Sequence, residues 1–130
     1  MKVLADTSLW ISFLSGKGNK RLSDLLRQDS SILIHPWVIG ELMIGNLGKR
    51  REEILNLLLA LPQTPAFTIS DLMPFIEKEE LYGIGLSFVD IQLLYTALAT
   101  DTFLWTDDKK LKEAALKYHR DFQEDKYFLH

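Results

Sequence analysis

Short, uniformly apolar runs alternate along the chain with longer stretches in which apolar residues return every three or four positions. The runs VLA (residues 3–5), SILI (31–34) and TFLW (102–105) are short and bounded by polar residues, which predicts buried strands. The longer stretches predict helices over residues 9–14, 19–28, 36–46, 52–61, 71–82, 88–100 and 108–118. In the second of these Leu22, Leu25 and Leu26 share one face, and Pro36 suits the first position of the third. Pro62 stops the fourth, and Pro74 falls in the first turn of the fifth. Residues 64–69 read as an extended edge segment and Gly83-Ile84-Gly85 as a turn. Strands separated by helices predict right-handed βαβ units, hence an α/β fold with a parallel sheet covered on both faces.

Composition narrows the function. A chain of 130 residues, 47% hydrophobic and 25% charged, is expected to form one domain over residues 1–130. Fifteen basic against eighteen acidic residues give a net charge of −3, which excludes a basic nucleic-acid coat but not a local basic patch. With no Cys there is neither a disulfide framework nor a thiolate metal site nor a cysteine nucleophile, so a metal would need oxygen or imidazole ligands. Asp6 interrupts the apolar start too early for a signal peptide. Asn56 interrupts the apolar stretch 54–61, far short of the roughly 20 residues of a membrane span. A cytoplasmic protein with no membrane contact is expected.

Acidic residues stand where chemistry is expected. Ligands of open parallel sheets bind beyond the carboxyl ends of the strands. Asp6 follows the first strand directly, and Asp107 and Asp108 follow TFLW after Thr106. Glu41 lies inside the helix PWVIGELMIG and Asp90 near the start of FVDIQLLYTALA, a helix apolar around most of its circumference. Each has a simpler role to set beside a catalytic one. Asp6 could cap a helix, Ser87 and Asp90 have capping-box spacing, Thr106 could cap a helix whose dipole Asp107 and Asp108 would favour, and Glu41 could form a salt bridge. Gathered together, such carboxylates would repel unless a hard cation neutralised them; Mg²⁺ or Mn²⁺ prefers oxygen ligands and supports phosphodiester hydrolysis. The three histidines offer no catalytic pair, since His35 abuts a proline and His119 and His130 lie near the end. Gly83-x-Gly85 lacks the preceding strand and third glycine of a dinucleotide fingerprint.

Four segments in order, LADTSLWISFL, VIGELMIG, GLSFVDIQLLYTAL and LWTDDKKLKEAA, resemble the PIN domain, and specifically the VapC toxins of bacterial toxin–antitoxin pairs. The resemblance spans essentially the whole chain. It implies a three-layer α/β/α sandwich, a metal-dependent ribonuclease that is the toxin of such a pair, Mg²⁺ or Mn²⁺ as cofactor, RNA as substrate and a VapB-like antitoxin as partner. Carried over by motif, Asp6, Glu41, Asp90 and Asp108 form the metal-binding and catalytic quartet. The family's Thr-x-Asp pattern favours Asp108 over Asp107. Ser8 and Thr106 resemble supporting hydroxyls.

Lys109 and Lys110 adjoin the last acid and are the preferred phosphate contacts, ahead of Lys112, of Lys49-Arg50-Arg51 and of Lys17, Lys20 and Arg21. Apolar residues on several faces of residues 54–61, with Trp10, Trp37 and Met43, suggest an antitoxin groove and a homodimer surface if they are not simply core. A non-catalytic PIN-like module binding RNA or protein is the alternative, although it would be expected to lack one or more of the acids. A phosphorylated receiver domain is disfavoured, because one Asp rather than an acidic pair follows the first strand.

Overall fold

The computed structural model describes residues 1–17, 20–27 and 31–123. Among them three strands are separated by seven helices: β1 Val3–Ala5, α1 Thr7–Leu14, α2 Lys20–Leu26, β2 Ile32–Leu33, α3 Pro36–Met43, α4 Arg51–Ala60, α5 Ile69–Lys78, α6 Phe88–Ala99, β3 Phe103–Trp105 and α7 Lys109–Lys117. The strands are parallel in the order β2-β1-β3, with Val3 opposite Ile32 and Phe103. β1 is central and its three residues are fully buried, as a strand covered on both faces must be. Because β2 and β3 lie on opposite sides of β1, the strand order reverses at β1, and a crevice opens at its carboxyl end.

Single parallel bridges extend the sheet at both edges, Ile34 with Gln63 and Leu104 with Asp121. They satisfy edge groups that would otherwise lie open. Residues 64–69, expected as an extended edge segment, form no strand; the bridge lies just before them, at Gln63. The chain turns into α5 early, because the Thr68 hydroxyl and Asp71 form a reciprocal capping box that starts the helix at Ile69. Pro74 consequently stands in the second turn rather than the first, and α5 ends at Lys78 instead of reaching Tyr82. α1 begins at Thr7, two residues before the expected start, because Asp6 caps it. α3 ends at Met43, where Arg51 donates to the carbonyls of Met43 and Gly45. The expected helix ends Asn19 and Gln28, and His130, lie outside the described residues.

The core joins β1, β2 and β3 to the inner faces of the helices, with Trp10, Trp105, Leu93 and Leu94 among its largest side chains. A polar strut crosses it. His35 and Gln92 are both 0% exposed. The Trp37 N–H donates to His35 Nδ1 at 2.9 Å, so the proton sits on Nε2 and is donated to Gln92 Oε1 at 3.1 Å. Gln92 closes the chain of bonds on the backbone N–H and carbonyl of Phe67. His35 is thereby the N-cap of α3, and the helices carrying Glu41 and Asp90 are tied together beneath the surface.

Candidate active site

Asp6, Glu41, Asp90 and Asp108 line one cleft of about 190 Å³, together with Thr7, Ser8, Ser87, Val89 and Leu93. Three helix starts converge there. Asp6 is the N-cap of α1, accepting from the Leu9 N–H at 3.1 Å. Asp90 occupies the third position of α6 in a capping box with Ser87, each accepting from the other's backbone N–H. Asp108 is the N-cap of α7, accepting from the Leu111 N–H at 2.9 Å. Capping is therefore how these acids are held in the cleft. One oxygen of Asp90 and one of Asp108 satisfies a helix end, and the other has no hydrogen-bond partner among the described residues.

Asp6 is the most constrained of the four, at 6% exposure. One of its oxygens accepts from Ser8 at 2.8 Å as well as from Leu9, and the other accepts from the Thr106 hydroxyl. Burial pushes its carboxyl above the ordinary carboxylate range, against the pull of the hydrogen bonds from Thr106, Ser8 and Leu9; the charge of Asp107 adds to the rise. The Thr106 oxygen also accepts from the Asp108 N–H at 2.9 Å, so one hydroxyl links the first acid to the last. This corrects the expected helix-capping role of Thr106, since the cap is Asp108 itself.

Glu41 lies in the middle of α3 with its side chain exposed. Among the described residues no ion pair holds it; the Thr7 hydroxyl donates to it at 2.6 Å. Thr7 is the site residue that the acids alone did not indicate, although it stands between Asp6 and Ser8. Asp90 is half-buried and Asp108 exposed, so only Asp6 bears the full cost of burial anticipated for a charge in an apolar setting. Asp107 is exposed and does not line the cleft.

As they stand, no three acids or histidines among the described residues are close enough together to ligate one ion directly. The donor set nevertheless suits a hard divalent cation: four carboxylates edge one cleft and no ion pair among the described residues neutralises any of them. Such ions keep several waters and need few direct protein ligands.

The cations are distributed more widely. Lys109 and Lys110 open α7 directly after Asp108, exposed and outside the cleft lining. Lys49-Arg50-Arg51 is largely engaged in structure, since Arg50 pairs with Glu53 and Arg51 closes the end of α3. The apolar surplus divides in two. Trp10, Phe13, Leu14, Leu26, Ile54, Leu57, Leu58 and Leu61 line a groove of about 310 Å³ between α1, α2 and α4, whereas Trp37 and Met43 lie on α3 away from it.

The PIN-domain family model matches residues 3–117 of this fold. The chain belongs to the PIN-domain family. Ribonuclease VapC32 of Mycobacterium tuberculosis is 41% identical over 113 residues, which cover 86% of this chain and 89% of the relative. PAE2754 from Pyrobaculum aerophilum superimposes with a TM-score of 0.69 at 14% identity, over 99% of this PIN domain and 93% of that chain. VapBC2 from Rickettsia felis, solved bound to a DNA fragment from its promoter, superimposes with a TM-score of 0.62 at 20% identity, over 88% and 93%. These two likenesses are likenesses of fold, in agreement with the α/β architecture of this PIN domain.

Proposed function

We propose that this PIN domain is a metal-dependent ribonuclease that hydrolyses RNA phosphodiester bonds and acts as the toxin of a toxin–antitoxin pair. The observation that carries the reading is the convergence of four carboxylates, without a cationic partner among the described residues, on one cleft at the carboxyl end of the central strand. The 41% identity with a protein named Ribonuclease VapC32 supports it.

In this reading Asp6, Glu41, Asp90 and Asp108 are the catalytic residues and the groups that would hold Mg²⁺ or Mn²⁺. When bound, the divalent ion supplies Lewis acidity and neutralises charge developing on the phosphate. Ser8 and Thr106 fix both oxygens of Asp6, Thr7 orients Glu41, and the helix starts position Asp90 and Asp108. Lys109 and Lys110, beside Asp108, meet the RNA phosphates.

The groove between α1, α2 and α4 is the docking surface for a VapB-like antitoxin. Leu57 is 60% exposed at its edge, and apolar side chains form the rest of its lining. A homodimer and a cytoplasmic setting complete the proposal. No helix among the described residues is long and apolar enough to cross a membrane.

The test is RNA cleavage by the purified chain with Mn²⁺, with chelator, and by the Asp6→Asn variant. Cleavage should need the metal and fall at least about 100-fold in the variant. Asn caps helices as well as Asp; with its oxygen toward the Leu9 N–H, its amide NH2 donates to the Thr106 hydroxyl oxygen, so the variant should fold normally. Metal-independent cleavage, or full activity in the variant, would overturn the reading.

A further inference from the structure

The segment between α5 and α6 carries two features that the acid chemistry does not use. Phe88 opens α6 and is 43% exposed, although Ser87 and Val89 on either side of it both line the acid cleft. Its ring centroid lies 5.6 Å from that of Trp37, with the planes tilted by 41°. Trp37 is four residues before Glu41 on α3, and residues so spaced share a helix face. The two rings therefore join the helix that carries Glu41 to the one that carries Asp90, along the rim of the cleft.

The second feature is a cation of α7 that lies against the same segment. Gly85 has φ +87°, and a Cβ built on it would lie 2.3 Å from Lys110 Nζ and 3.1 Å from Lys110 Cδ. The Lys110 side chain thus lies across the backbone of Gly85, three residues before Phe88 in the chain. Glycine suits the position twice, in its backbone angle and in leaving room for the lysine.

A half-exposed aromatic pair with an ammonium close by, at the edge of a site for phosphodiester hydrolysis, matches what a single-stranded nucleotide offers. A base has a flat face to stack and a phosphate to pair. We propose that Trp37 and Phe88 form a shelf on which a base next to the cleaved phosphate stacks, with Lys110 held across Gly85 to meet the adjoining backbone. The proposal rests on the ribonuclease reading and adds a base contact beyond the acids. Phe88 is the stacking ring, and Trp37 backs it.

The test measures binding in the Asp6→Asn background, using a short single-stranded oligoribonucleotide that the unmodified chain cuts at a mapped site. A second copy of the oligonucleotide is abasic beside the scissile phosphate. Phe88→Ala should weaken binding of the intact RNA roughly 5- to 100-fold, the range for loss of one base stacked on an aromatic ring. Phe88→Trp should restore it, and the abasic RNA should bind Phe88→Ala and its parent equally. Equal weakening of both RNAs, or no weakening, overturns the shelf. So does conversion of a dimer to a monomer by Phe88→Ala with RNA affinity retained, which would make this rim a surface between copies of the chain. Failure of the unmodified chain to cut any RNA with Mn²⁺ overturns the ribonuclease reading first and the shelf with it.

Discussion

Helix α1 contributes to two sites that work by opposite physics. Its first turn enters the acid cleft, where Asp6 is nearly buried and both its oxygens are bonded. Its far face enters the apolar groove, which Phe13 and Leu14 line together with the exposed Leu57 of α4. In the cleft every acid is fixed by a hydroxyl or a backbone N–H, so its geometry exists before anything binds. In the groove no side-chain hydrogen bond among the described residues fixes the lining, and apolar Leu57 is left exposed. A preformed polar site suits chemistry, whereas an uncovered apolar one suits a partner that buries it.

The comparison can be tested at its supports. The largest effect is expected beneath the cleft, at His35. Its replacement by Ala strands the Trp37 N–H and part of Gln92, and should cost about 2–4 kcal/mol of stability in denaturant unfolding. Burial holds the His35 imidazole below its ordinary pKa of 6.5, so the native state binds fewer protons than the unfolded one. Its contribution is complete above about pH 6.5 and is lost as pH falls through the native pKa beneath that value. His35→Ala should therefore lack the acid-side fall in stability that the parent shows between neutrality and pH 5. Asp6 has the reverse sign: its raised pKa favours the native state at low pH and loses that advantage as pH rises. Asp6→Asn should accordingly be no less stable than the parent near neutral pH.

An intermediate effect is expected in the groove. Leu57→Asp places a charge at the exposed edge and should weaken antitoxin binding by about 1–3 kcal/mol in calorimetry, while RNA cleavage by the free chain stays within twofold. Loss of cleavage in that variant would show that the groove and the cleft are not separable. The smallest effect belongs to Thr7→Val, which removes the hydroxyl that donates to Glu41. A loss near 1 kcal/mol predicts roughly fivefold slower cleavage with unchanged stability. A loss as large as that in Asp6→Asn would make Thr7 a direct participant.

Much of the cleft was legible because helix capping is local. Ser87 and Asp90 are three residues apart, and Asp6 stands at a strand end, so short spacing alone marked both as helix starts. The opposition between capping and catalysis dissolves in the structure, where Asp90 and Asp108 each give one oxygen to the helix and keep the other. The salt bridge envisaged for Glu41 was wrong among the described residues, because its partner is a hydroxyl 34 residues earlier. The strut from His35 to Gln92 spans 57 residues, and neither residue looked unusual in its own segment. The apolar surplus does not say which residues go where: packing buries Trp10 in one place and leaves Trp37 beside Phe88 in another. The net charge of −3 also reads differently, since without the four cleft acids the remainder is +1, no obstacle to an RNA substrate.

By itself the sequence determined the alternation of strand and helix, the acids at the helix starts and the restriction to oxygen or imidazole ligands in a chain without cysteine. Those are consequences of side-chain periodicity, backbone preference and composition, which act over a few residues. Only the tertiary structure decided that β1 would lie between β2 and β3, and that Thr106 would reach Asp6 across 100 residues to bring the first and last acids into one cleft. Contacts of that span depend on strand order and on which faces the helices bury, and these are settled when the whole core closes.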